Sequence, residues 1–169
     1  MNKKIADIAT SQVGQKEATG NNDGSVVRKY QGTTNLEPGG WPWCAAFVCW
    51  VIREWLKDEK AQKWLNLKHR TPEDWRPQTA RAWGFDDWAA KRPATTEIID
   101  RSEQAKPGDI VMFTFSHVGI VISDNGKSIQ TVEGNTNGAG SRDGDGVYFK
   151  TRSRSLVKEY VRIYPSKAQ

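Results

Sequence analysis

The stretch WPWCAAFVCW, residues 41–50, decides how the rest of the chain is read. Pro42 restricts the residue before it to extended or turn geometry, so a helix starts no earlier. Beyond that turn, Ala45, Phe47, Val48, Val51, Ile52 and Trp55 recur at helical spacing, and Arg53, Glu54, Lys57 and Asp58 fill the other face. The spacing predicts a buried helix with Cys44 in its first turn. Unpaired backbone N–H groups and the positive end of the helix dipole favour a thiolate there over a thiol. Cys44 is therefore a candidate nucleophile, and such a cysteine needs a base.

Upstream of this stretch, Ile5, Ile8, Ala9 and Val13 are spaced as an amphipathic helix over residues 2–14 that stops at Gly14. A polar segment, 18–23, leads to a short helix over Ser25–Tyr30 and then to a loop, 32–40, that delivers Trp41 and Cys44. Downstream, residues 58–76 read as helical or irregular surface structure. A further amphipathic helix is expected over Gln78–Ala90, with Ala82, Trp83, Phe85 and Trp88 apolar and Gly84 interrupting it.

The period then changes. Lys106-Pro-Gly-Asp109 is turn chemistry. The runs Ile110–Phe115, His117–Ser123, Ser128–Glu133, Val147–Thr151 and Glu159–Tyr164 are short and rich in β-branched and aromatic residues. Helices first and an antiparallel meander second define an α+β fold, with N-terminal helices packed on a C-terminal sheet of about five strands. With no repeat and no linker, residues 1–169 read as one domain.

Composition sets the outer bounds. A hydrophobic fraction of 37% and eight tryptophans describe a folded chain. The net charge of +5, from 25 basic and 20 acidic residues, suits an anionic partner such as nucleic acid, a membrane surface or bacterial cell wall, and equally a plain solvated surface. Cys44 and Cys49 on one helix cannot bridge, and zinc-type spacing is missing. The N-terminus lacks the apolar run of a signal peptide, and no window approaches the roughly 20 apolar residues of a membrane span. The chain is expected to be made in the cytoplasm and, if it works outside, to be released by another system.

Two histidines compete for the role of base. His69 lies in the basic segment Leu67-Lys-His-Arg-Thr71 and reads as a solvated surface residue. His117 opens a strand and can face a groove between sheet and helix, and nucleophile and base are commonly far apart in sequence. A hairpin with the following strand brings the end of that strand back to His117. Either Glu133 or Asn135 can then be the group that holds the imidazole in one tautomer.

The segments Trp43-Cys-Ala-Ala-Phe-Val48, Lys106-Pro-Gly-Asp-Ile-Val111, His117-Val-Gly-Ile-Val121 and Glu133-Gly-Asn135 together resemble the CHAP family (cysteine, histidine-dependent amidohydrolase/peptidase). That family is related to the NlpC/P60 and papain-like peptidases, and the resemblance runs in order from about residue 5 to 163. It implies a papain-like fold with Cys44 as nucleophile, His117 as general base, Glu133 orienting His117 and Asn135 as a further polar anchor. It also implies hydrolysis of an amide bond of bacterial peptidoglycan through a thioester, with no cofactor. Calcium-binding members carry an acidic cluster before the cysteine. Residues 32–43 hold only Glu37, so no required metal is expected.

Around that core, Trp41 and Trp43 either line the groove or pack the turn. Lys150, Arg152 and Arg154 either touch an anionic substrate or form a solvated face. Cys49 reads as a small buried apolar side chain. Alternative readings are a catalytically silent wall-binding or assembly module and a basic nucleic-acid-binding domain, although no nucleic-acid-binding motif is present. The expected partner is peptidoglycan, acted on by a monomer with no stable membrane insertion. The roles open to it are phage lysin, antibacterial toxin with a dedicated inhibitor protein, or wall-remodelling enzyme.

Overall fold

The computed structural model describes residues 1–141 and 143–167. Among these described residues six α-helices come first: α1 (Asn2–Thr10), α2 (Ser25–Gln31), α3 (Cys44–Trp55), α4 (Glu59–Trp64), α5 (Pro72–Trp75) and α6 (Phe85–Ala90). Six strands follow: β1 (Thr96–Asp100), β2 (Ile110–Phe113), β3 (His117–Asp124), β4 (Ser128–Thr136), β5 (Gly146–Ser153) and β6 (Val157–Ile163). They form one antiparallel sheet in the order β1-β6-β2-β3-β4-β5. The expected α+β arrangement and its papain-like architecture are those of the molecule, with one strand more than the five read from sequence.

That extra strand is β1, sequence TEIID, which pairs with β6 at one edge of the sheet. Its burial alternates poorly and Ile98 is exposed, so it carries little of the apolar signature by which strands are recognised. The helix expected over 78–90 is also corrected: only Phe85–Ala90 is helical. Thr79 Oγ1 accepts the Arg81 N–H at 3.1 Å, a local turn that competes with helix formation. Gly84 lies so close to Thr79 that a β-carbon would meet its Oγ1 at 2.1 Å. α1 likewise ends at Thr10, and Gly14 (φ 96°) turns the chain so that its N–H reaches the carbonyl of Val147.

α3 is buried on nearly every side, Cys44 to Ile52 without a break, and packs on β3 and β4 with α1 and α2 beside it. It comes close to the sheet at Gly134, where an added β-carbon would come within 2.7 Å of Phe47 and 2.8 Å of Trp43. A side chain there would push the helix off β4. Val118, Ile120 and Val132 face this helical layer, and a second cluster of Val111, Phe113, Val121, Ile129, Val157 and Tyr160 occupies the other face of the sheet.

Residues 58–76 hold two short capped helices. Asp58 caps the first through the Lys60 N–H, and Thr71 caps the second with Pro72 in its first turn. Trp64 meets Trp55, Trp55 meets Trp75 and Trp75 meets Trp88, edge-on or tilted, with centroids 5.1–6.4 Å apart. This ladder fastens the irregular segment to α3 and α6.

Candidate active site

Cys44 is the first residue of α3, with Trp43 at the cap position. It is 6% exposed and lines a groove of about 380 Å³ together with Leu36, Trp41, Arg81, Trp83 and Ser116. His117 and Glu133 are fully buried behind it. The sulfur is thus the one member of the trio that meets the groove.

The turn that delivers His117 is a three-residue connection, Thr114-Phe115-Ser116, between paired Phe113 and His117. Its third residue, Ser116, is left-handed at φ 56°, the conformation such hairpins need at that place. The imidazole lies nearly parallel to Phe113 and Phe115, with centroids 5.9 and 5.6 Å away. Its Nε2 is 2.8 Å from Glu133 Oε1. Among the described residues Nδ1 has no aligned hydrogen-bond partner, yet the Cys44 side chain acts on the ring both as a hydrogen-bonding group and as a charge. With Nε2 committed to Glu133, Nδ1 is the nitrogen left to exchange a proton with the sulfur.

Burial alone would lower the His117 pKa. Hydrogen bonding to Cys44 and to Glu133, helped by their negative charge, reverses that and carries it up to about 9. Burial alone would raise the Glu133 pKa, but hydrogen bonds from His117 and Arg152 bring it down to about 2. The charged forms of both groups are therefore the stable ones at neutral pH. An imidazolium beside Cys44 stabilises a thiolate, and that is the state in which a cysteine attacks a carbonyl.

Trp41, for which the sequence left two readings open, lies beside the groove, and its loop is stapled by buried Gln31. The Gln31 side-chain amide donates to the carbonyls of Gly39 and Trp41 at 2.7 and 3.0 Å and accepts the Gly39 N–H at 3.1 Å. Trp43 is corrected. It is fully buried, stacked on Tyr30 at 5.5 Å, and its indole N–H donates to Glu17 at 2.8 Å. It packs the turn and lines no groove.

Asn135 sits fully buried two residues beyond Glu133, at φ 55°, where the β4–β5 register breaks. His69 is exposed and lies in a different concavity. Cys49 is buried, free, and pushed by burial up to about 12, so it has no part in thiolate chemistry.

The three cations read as one outward strand face are otherwise engaged. Lys150 donates to the carbonyls of Asn137 and Gly138, at 3.0 and 2.8 Å. Arg154 lies in a 3-10 turn after β5 and pairs with Asp124. Arg152 is buried against Glu133. Sequence reasoning missed Arg152 and Gln31 as site residues. A basic residue alternating along a strand reads as solvent-facing unless its partner is known, and nothing in the sequence ties residue 31 to the loop at 39–41.

A thiol at a helix N-terminus, backed by a histidine and a carboxylate on an antiparallel sheet, defines the papain-like class of α+β proteins. Within that class the chain belongs to the CHAP domain family, whose family model matches residues 36–135. That match includes Cys44, His117, Glu133 and Asn135, while β5 and β6 on its far side complete the sheet. No protein of curated function matches the chain.

Two of the solved structures similar to it are of one protein. One is the crystal structure of Ly7917, at 15% identity and a TM-score of 0.50, covering 96% of this chain and 62% of that one. The other is Ly7917 with the hydrolyzing product of MDP, at 18% identity and a TM-score of 0.52, covering 98% of this chain and 63% of that one. At such identity the likeness is one of fold, and the chain spans less than two thirds of the length of those proteins.

Proposed function

We propose that this chain is a hydrolase of bacterial peptidoglycan that cleaves an amide bond of the wall peptide through a thioester on Cys44. The observation that carries the reading is the line Cys44–His117–Glu133, in which the sulfur meets a groove and the histidine is bonded to a buried carboxylate. Membership of the CHAP family supports the reaction class. Support for the substrate comes from the family and from the similar fold of Ly7917, which was crystallised with the hydrolyzing product of MDP.

In this mechanism the Cys44 thiolate attacks the scissile carbonyl carbon while His117 carries the proton at Nδ1. The backbone N–H of Cys44, in the first turn of α3, donates to the oxyanion; one such donor is worth about 3 kcal/mol in comparable sites. His117 then gives its proton to the leaving amine, and the C–N bond breaks to leave an acyl-thioester. A water deprotonated by His117 attacks that thioester, releasing the carboxylic acid and restoring the thiolate–imidazolium pair. Glu133 holds the ring in one tautomer throughout, and Asn135 serves as a buried polar anchor beside it.

Incubation of purified peptidoglycan with the protein, followed by mass spectrometry of the soluble fragments, tests the proposal. New amino termini that appear with the wild type and not with Cys44→Ala are the expected result. Fragments released equally by both, or by neither, overturn it. Wild-type fragments also identify the bond, separating an amidase acting next to the glycan from an endopeptidase of the stem or bridge.

A further inference from the structure

Glu133 is a fully buried carboxylate whose bonds run in three directions. Oε1 accepts from His117 Nε2 at 2.8 Å and from Arg152 Nη2 at 2.5 Å. Oε2 accepts from Arg152 Nε at 3.0 Å and from Thr131 Oγ1 at 2.5 Å. The guanidinium thus grips both oxygens in the two-pronged geometry that fixes the plane of a carboxylate as well as its place.

Arg152 is itself held on its far side. Its Nη1 donates to the carbonyl of Gly140 at 3.0 Å. A β-carbon at residue 140 would meet that same nitrogen at 2.8 Å, and the residue's φ of 85° also favours glycine. The guanidinium also lies 5.1 and 5.4 Å from the ring centroids of Phe115 and Phe113, the two rings stacked beside His117. Cation and imidazole share one aromatic platform, and one carboxylate joins them.

We infer that Arg152 is a positioning residue for the reaction, acting through Glu133 to aim the His117 ring so that Nδ1 faces Cys44. This rests on the hydrolase reading above, in which Cys44 and His117 exchange a proton. A lysine in place of Arg152 could reach one carboxylate oxygen but not span two, so the plane of Glu133 would be lost while its charge stayed paired.

A double-mutant cycle read by the alkylation rate of Cys44 with iodoacetamide at pH 7 tests this without requiring wall hydrolysis. Arg152→Met is expected to slow alkylation at least tenfold in the wild-type background and less than twofold on top of Glu133→Gln, because the arginine then has no carboxylate to aim. Arg152→Lys is expected between Arg152→Met and wild type, and it carries the same cycle if Arg152→Met fails to fold by circular dichroism. Equal slowing in both backgrounds would mean a merely structural arginine. Faster alkylation in Arg152→Met would mean that the cation only opposes the imidazolium. Either result overturns the inference, as does a rate within twofold of wild type. Failure of the hydrolase reading appears separately, as absence of wild-type fragments from peptidoglycan.

Discussion

The Cγ of Glu133 lies 2.7 Å from the place where a β-carbon on residue 119 would stand, so Gly119 is the gap through which Glu133 reaches His117. Residues 117 and 119 share one face of β3, and Glu133 comes across from β4 over the second to bond the first. The carbonyl of Val132 stands 3.0 Å from the same point, leaving no room for a side chain to turn aside. Gly119→Ala is accordingly expected to cost about 1–3 kcal/mol of stability from overpacking. It should also displace Glu133 and slow Cys44 alkylation severalfold. Urea unfolding gives the first, and the labelling rate of the folded protein the second. Unchanged alkylation would mean that Glu133 finds another way to the imidazole.

The buried pair sets a pH window on both activity and stability. The His117 pKa is raised to about 9 in the fold, from an ordinary value near 6.5. Its contribution to stability is therefore complete below about 6.5 and lost as pH climbs through about 9. Glu133 is depressed to about 2 from its usual value near 4.5, so its share is complete above 4.5 and lost as pH falls toward 2. Turnover should fall on the alkaline side with an apparent pKa near 9, as the proton that His117 gives the leaving amine disappears. The melting temperature should drop between pH 7 and 9.5 in the wild type and by clearly less in His117→Ala, which has no such proton to lose. A rate profile flat to pH 10 would remove the imidazolium from the mechanism.

Much of this site was legible because its chemistry is local in sequence. Cys44 is marked by the end of a turn and the start of an apolar helix, and His117 by the start of a strand. Gly119 and Gly134 stand inside the motifs His-Val-Gly and Glu-Gly-Asn, and each leaves room for neighbouring side chains, Glu133 at the first and Phe47 with Trp43 at the second. What stayed hidden depends on contacts across the chain. Arg152 reads as a surface residue until β5 is laid beside β4. Trp43 and Trp41 look alike two residues apart, and only the packing of Tyr30 decides which of them is core. The loop 78–84 copies a helical pattern, but its Thr79 turn leaves Ala80–Trp83 as a wall of the groove.

The two cysteines should be separable by one reagent. Cys44 touches the groove, while Cys49 is fully buried, raised to about 12 by loss of hydration, and directed at the carbonyl of Thr79 at 3.3 Å. Native protein at pH 7 is expected to take up one equivalent of iodoacetamide, on Cys44, and Cys44→Ala none until denatured. Peptide mapping by mass spectrometry reads the site. Label on Cys49 in the native protein would show that the packing around the middle of α3 opens in solution.

A second buried carboxylate–arginine pair provides the control that separates architecture from chemistry. Asp109, the last residue of Lys106-Pro-Gly-Asp109, is fully buried and takes a forked bond from Arg162, with nitrogen–oxygen distances of 2.7–3.2 Å, while its Oδ2 accepts the Lys106 N–H at 2.8 Å. It joins the turn before β2 to β6, across a strand pair that does not touch the groove. Asp109→Ala leaves the largely buried Arg162 cation without its partner, and breaking such a pair costs about 3–5 kcal/mol. The urea midpoint should fall accordingly, while the alkylation rate per folded molecule stays within twofold of wild type. Arg152→Met should show the opposite balance, with a larger loss of rate relative to its loss of stability. Two ion pairs of the same chemistry and similar burial would then differ in what they hold, one a turn against a strand and the other a carboxylate against the base. A rate loss in Asp109→Ala matching that of Arg152→Met would mean that the sheet transmits any such break to Cys44, and the distinction between the two pairs would fall.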